Sequence, residues 1–178
     1  HDLLYAIFAG SPYLSRLLLN NAEFAAKLLS APLEELFGDI IADLQQRLPQ
    51  VTETGQVKKI LRQAKARVAL TISFADLSGQ WPLPRITRRL PLFAETCVSL
   101  VVSHLLRAEM IKGNLAVPEH LGSVPAQDLP ATADLAKNTG YVVLAMGKMG
   151  GYELNYSSDI DLIVLFDNEI IRYTGRRT

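Results

Sequence analysis

The stretch GKMGGYELNYSSDIDL, Gly147 to Leu162, sets three glycines, one lysine, two serines and two aspartates between two β-rich runs. Before it stands YVVLAM, Tyr141 to Met146, and out of it grows IDLIVLF, Ile160 to Phe166. Branched and aromatic residues in short runs bounded by glycine read as strands, so the skeleton here is strand, turn, strand. Asp159 and Asp161 lie two apart at the mouth of the second strand, and side chains at i and i+2 of a strand point to one face. Two carboxylates converging on one point repel each other unless a cation joins them. Magnesium, which takes oxygen ligands and bridges to phosphates, suits that role. Ile160 and Leu162 take the opposite face, where they can pack on helices.

The turn carries its own chemistry. Gly147, Gly150 and Gly151 let backbone N–H groups approach a phosphate closely. Lys148 adds a positive charge, and Ser157 and Ser158 add hydroxyl donors just before the carboxylates. A phosphate cradle and a metal pair are thus adjacent, although the glycines alone could equally mark a tight turn. The stretch is neither a Walker A loop nor a G-x-G-x-x-G dinucleotide fingerprint. Glu153 either joins the metal or orders the turn, and the structural role is preferred.

Upstream the chain reads as helix. Ser11-Pro12 offers an N-cap and a first-turn proline, Asn20 with Glu23 fits a capping box, and Ser30-Ala31-Pro32 opens a further helix. Leu17, Leu18, Phe24, Leu28, Leu33, Leu36 and Ile40 form the expected core of this part. Residues 57–77 make the clearest helix, with Val57, Ile60, Leu61, Ala64, Val68 and Ile72 on one stripe. Another long helix begins between Pro84 and Pro91 and reaches Ile111, with Leu90, Ala94, Cys97, Val98, Val101 and Leu105 as its expected buried side. Proline and glycine then punctuate residues 113–139, which read as a linker or loop. The expected organisation is a helical region over 1–112, the linker over 113–139, and the start of a second, incomplete core over 140–178. The fold class is α+β, a helical bundle followed by the first strands of a sheet.

Composition bounds the function. The 178 residues are 49% hydrophobic and carry 18 basic and 18 acidic side chains, so the basic footprint of a nucleic-acid-binding protein is missing. No unbroken apolar run reaches the length of a membrane span, and HDLLYAIFAG lacks the basic start of a signal peptide, so the expected location is cytoplasmic, without membrane or nucleic-acid partners. Cys97 is the lone cysteine. His1, His104 and His120 are scattered, which argues against a histidine or cysteine metal site, and His104 reads as a partly covered helix residue.

A strand ending in glycine, a spacer, then Asp-x-Asp opening a second strand resembles the DNA polymerase β-type nucleotidyltransferase superfamily. That superfamily has Gly-Gly or Gly-Ser where this chain has Gly147-Lys148. Within it, however, GKMGGYELNYSSDIDL is similar to the signature of the glutamine synthetase adenylyltransferase/adenylyl-removing family, where glycine-lysine is usual. AIFAGSPYLSRLLLNNAEFAAKLL, Ala6 to Leu29, resembles that family's N-terminal helices. ARVALTISFADLSGQW, Ala66 to Trp81, resembles the segment it places before the catalytic strand. Family members carry two such units, one removing AMP from glutamine synthetase and one adding it, and the opening helices with the S-S-D-I-D-L form look more like the removing unit.

The resemblance implies a polymerase β-like core, truncated here. It also implies deadenylylation by phosphorolysis: phosphate attacks the AMP phosphorus on an adenylylated tyrosine of glutamine synthetase, giving ADP and free tyrosine, in control of nitrogen assimilation. Asp159 and Asp161 would be catalytic and would hold Mg2+. Gly147, Lys148, Gly150, Gly151, Ser157 and Ser158 would hold the nucleotide phosphates. The superfamily's third carboxylate comes from a later strand, and Asp167 falls too soon on the same one, so the fragment alone is expected to be inactive. The implied partners are glutamine synthetase, phosphate with ADP or else ATP, and the PII signalling protein. The alternatives are the ATP-binding, adenylylating half of this multifunctional enzyme and a non-catalytic regulatory module.

Overall fold

In the computed structural model, which describes residues 2–122, 124–129, 132–137, 139–156 and 158–175, the N-terminal part is a succession of helices whose starts follow side-chain chemistry. After α1 (Asp2–Gly10), Ser11 turns extended and its hydroxyl accepts a hydrogen bond from Leu14 N at 3.3 Å, opening α2 (Pro12–Asn20) with proline in the first turn. An orphan amide is thereby satisfied, as an N-cap requires. The expected Asn20–Glu23 capping box does not form. One residue, Asn21, separates α2 from α3 (Ala22–Leu28), and its side chain donates backwards to Leu17 O at 2.8 Å instead of capping forwards. Pro32 precedes α4 (Leu33–Arg47), where Leu33, Leu36, Phe37, Ile40 and Leu44 recur at helical spacing and are buried.

Two long helices complete the bundle. In α5 (Thr54–Leu77), Val57, Ile60, Ala64 and Val68 lie on the buried stripe, and from Leu70 to Ala75 every side chain is buried as the helix enters the middle of the core. The following Trp81 packs edge-to-face on Phe37, ring centroids 6.3 Å apart. The Arg89 guanidinium covers both rings, 5.0 Å from Phe37 and 6.0 Å from Trp81, and pairs with Glu34, which fastens α4 to α6 (Leu83–Ile111).

The expected stripe of α6 is only partly right. Leu90, Cys97 and Val101 are half-buried at the margin of the core, Leu105 is exposed, and the buried positions are Ile86, Pro91, Leu100, Ser103, His104, Leu106 and Met110. The cause is a change of partner along the helix: its first half meets α4 and α5, whereas Leu106 and Met110 meet Leu129 and Leu135 from residues beyond it. Of the described residues between 113 and 139, Leu129, Leu135 and Thr139 are buried, and short 3-10 turns stand at Glu119–Leu121, Ala126–Asp128 and Ala133–Ala136. Among the described residues α6 is also long and apolar enough to cross a membrane, by length and composition alone. Glu95 and Arg107 interrupt it, so no unbroken apolar run betrays this in the sequence.

The chain is α+β. Strands β1 (Tyr141–Ala145) and β2 (Leu162–Phe166) pair antiparallel, Tyr141 opposite Phe166 and Ala145 opposite Leu162. Tyr141, Val143, Leu162 and Val164 line a cavity against Cys97, Val98, Val101 and Val102 of α6. Val142, Leu144, Ile163 and Leu165 form the other face and are exposed.

Candidate functional site

Past the last ladder pair, Met146 N donates to Asp161 O at 2.9 Å, which carries Asp161 level with the residue that opens the glycine turn. Gly147 has φ +54°, and a Cβ built there would lie 3.5 Å from Asp161 Oδ2. The turn itself is a single helical turn, α7 (Gly147–Gly150). Gly150 passes so close to β1 that a Cβ would fall 2.4 Å from Ala145 O, a separation that only glycine permits. Gly151 has an ordinary φ of −82° and ordinary space. Lys148 is exposed on this turn and its carbonyl accepts from Glu153 N at 2.8 Å, so Glu153 closes the turn through its backbone. Met149 and Leu154 are buried and pin the turn from below.

Downstream the chain runs toward the carboxylates through a local hydrogen-bonded turn. Ser158 Oγ donates to Asn155 Oδ1 at 2.7 Å and accepts from Asn155 N at 3.4 Å. Ser157 lies outside the described residues. Asp159 and Asp161 are both exposed, and neither lies within β2, which begins at Leu162. The strand alternation invoked for them therefore starts one residue too late to orient both. Asp161 sits against Gly147. Asp159, with Ser158 and Ile160, lines the mouth of a cleft of about 560 Å³ between α5 and α6, beside Arg62, Lys65 and Cys97. Burial pushes the Cys97 thiol up to about 12, so it stays protonated as an apolar wall. Leu162 does turn toward α6, as expected of it.

Among the described residues no group of three or more His, Cys, Asp and Glu side chains could hold a metal ion. Asp167, at the far end of β2, accepts from Glu169 N through Oδ1 at 2.8 Å. Six residues of extended chain put it roughly 20 Å from Asp161. It cannot share a site with the pair.

Two contacts of the turn have no counterpart in the sequence reading. Tyr152 Oη donates to Glu95 Oε1 of α6 at 2.8 Å, and Tyr156 Oη donates to Asp76 Oδ2 of α5 at 3.4 Å. Their partners lie 57 and 80 residues upstream, beyond the reach of any local pattern.

The order strand, glycine turn, Asp-x-Asp and strand is thus present in space on a helical bundle, the order that marked a nucleotidyltransferase in the sequence. The family model for glutamate-ammonia ligase adenylyltransferase matches residues 1–178. Similar proteins include the bifunctional glutamine synthetase adenylyltransferase/adenylyl-removing enzymes of two Bradyrhizobium strains, BTAi1 and ORS 278, each 37% identical over 95% and 93% of this chain. The enzyme of the same name from Rhodopseudomonas palustris BisB5 is 35% identical over 92% of the chain. The chain spans 16%, 16% and 15% of the length of these relatives. No solved structure gives a match. The chain belongs to the glutamate-ammonia ligase adenylyltransferase family, a family of nucleotidyltransferases.

Proposed function

We propose that these residues are part of the adenylyl-removing unit of such an enzyme, which removes AMP from an adenylylated tyrosine of glutamine synthetase. Inorganic phosphate attacks the AMP phosphorus, the bond from phosphorus to the tyrosyl oxygen breaks, and ADP and the tyrosine hydroxyl leave. The observation that supports nucleotidyl transfer is Asp161 beside the Gly147 turn in a chain of this family, and the choice of the removing unit rests on the opening helices and the S-S-D-I-D-L form. Gly150 N and Gly151 N are spent inside the turn, on Met146 O at 3.2 Å and Gly147 O at 3.0 Å, so these two glycines shape the cradle, while the first-turn amide of Gly147 and the Lys148 side chain would meet the anionic oxygens and stabilise charge as it shifts. Ser157 and Ser158 lead the chain from that cradle into the carboxylates.

Asp159 and Asp161 are exposed hard-oxygen donors of the kind that Mg2+ takes, but they face different neighbours here, the α5–α6 cleft and Gly147, so these two alone do not make a metal site; completed by further ligands of the longer enzyme they would hold the ion, which would neutralise charge on phosphoryl oxygens. A third carboxylate would come from elsewhere in the longer enzyme, and the chain by itself is catalytically incomplete. The enzyme would be cytoplasmic, serve nitrogen assimilation and answer to the PII signalling protein.

The direction of the reaction is tested by incubating a full-length family member that carries these residues with adenylylated glutamine synthetase and magnesium, its other catalytic unit inactivated. Release of ADP that requires added phosphate supports the removing unit. Consumption of ATP on unmodified glutamine synthetase, indifferent to phosphate, would make this the adenylylating half, and neither reaction would leave a regulatory module.

A further inference from the structure

Tyr152 is the one described non-glycine residue with positive φ, +57°. A bulky side chain in that region is strained and persists only where its surroundings hold it. Backbone bonds from Tyr152 N to Met149 O at 3.2 Å and from Glu153 N to Lys148 O at 2.8 Å close the helix end around it, and its hydroxyl donates to Glu95 Oε1, which ties that closed turn to the middle of α6. Four residues on, Tyr156 reaches Asp76 at the end of α5, and burial together with that carboxylate pushes its hydroxyl up to about 12, so it remains a donor at neutral pH. The Tyr152 hydroxyl is held above its ordinary range, chiefly by its hydrogen bond to Glu95. Between the two tyrosines Leu154 is buried. The segment joining the glycine turn to Asp159 is therefore fastened to both long helices at three points.

We infer that Tyr152 and Glu95 are a positioning pair: the bond between them sets the glycine turn, and through it the placement of Asp161, relative to the bundle. The inference rests on the nucleotidyl-transfer reading above. Neither side chain touches reacting atoms in this account. Their effect falls on the rate of the chemical step and not on the overall stability of the fold, because the bond is exposed and the turn is already pinned by Met149 and Leu154.

The test compares Tyr152→Phe, Glu95→Ala, their double variant and Glu95→Gln in a full-length family member, reading kcat and KM for nucleotide release separately, with the thermal midpoint of each. Either single variant should lower kcat about fivefold, on the order of one hydrogen bond. The double variant should fall no further, and midpoints should be little changed. Glu95→Gln, whose amide oxygen still accepts, should keep near-normal kcat. Tyr152→Gly relaxes the backbone but has no hydroxyl, so it should fall with Tyr152→Phe. Additive losses, a full-rate Tyr152→Gly, or equal losses in Glu95→Gln and Glu95→Ala would overturn the pair. If the wild type transfers no nucleotide, the reading of function fails by itself. Amide hydrogen exchange over Gly147–Gly151 in the same proteins then decides: faster exchange in Tyr152→Phe supports the pair, and unchanged exchange overturns it.

Discussion

At Gly150 a Cβ atom would stand 2.4 Å from a backbone carbonyl, at Gly147 φ is +54°, and at Gly151 neither constraint applies. The three glycines look alike in the sequence, where one role at a phosphate suits them all. Only the backbone separates them. Gly150→Ala should cost roughly 2 kcal/mol or more, since β1 must move to admit it, and Gly147→Ala about 1–2 kcal/mol for the left-handed conformation. Gly151→Ala should be close to neutral, because its φ suits any residue. Denaturant unfolding of the three variants checks the order, and equal losses would show that the turn is formed differently. Ser158 makes a similar point: its hydroxyl proton goes to Asn155, three residues back, as far in sequence as Asp161 lies ahead.

The helices were legible wherever apolar spacing and a start signal coincided, as at Ser11-Pro12 and along Val57 to Val68. They were less legible where one helix serves two neighbours. In α6 the periodic pattern continues through Leu105, but the partner changes, so the buried side chain there is Leu106. No local rule announces such a change, because it depends on Leu129 and Leu135 folding back from a segment that composition marks as linker. Leu106→Ala should therefore cost about 2–5 kcal/mol as a core deletion, and Leu105→Ala, half exposed, about 0.5 kcal/mol. Thermal or denaturant unfolding distinguishes them, and a larger loss at Leu105 would mean that the stripe of the first half runs on unbroken. The second strand shows the same limit on a smaller scale. Its branched residues begin at Ile160, but pairing begins at Leu162, since only the ladder decides where a strand starts.

At the scale of the molecule, and among the described residues, one large cluster holds the bundle and a smaller one, under the end of α6, holds the segment that leads into the sheet. The sheet has two strands, and the face carrying Val142, Leu144, Ile163 and Leu165 is uncovered. Two strands seldom form a stable sheet unaided, and every residue of β2 is exposed, so α6 covers this one only in part. The candidate site is assembled at that junction: the hairpin supplies Asp161 and the glycine turn, while the long helices hold the segment before Asp159. The motif and its order in space could be read from adjacent residues, whereas the anchoring of that motif by Glu95 and Asp76 could not. The central claim is that Asp159 and Asp161 carry the nucleotidyl transfer. It is tested most directly by Asp161→Asn in a full-length family member, a change that keeps shape and removes charge, assayed for phosphate-dependent release of ADP from adenylylated glutamine synthetase. The account predicts a loss on the order of a hundredfold or more, as expected when charge stabilisation at a phosphoryl centre is removed, with the thermal midpoint unchanged. A rate within about twofold of the wild type would contradict it.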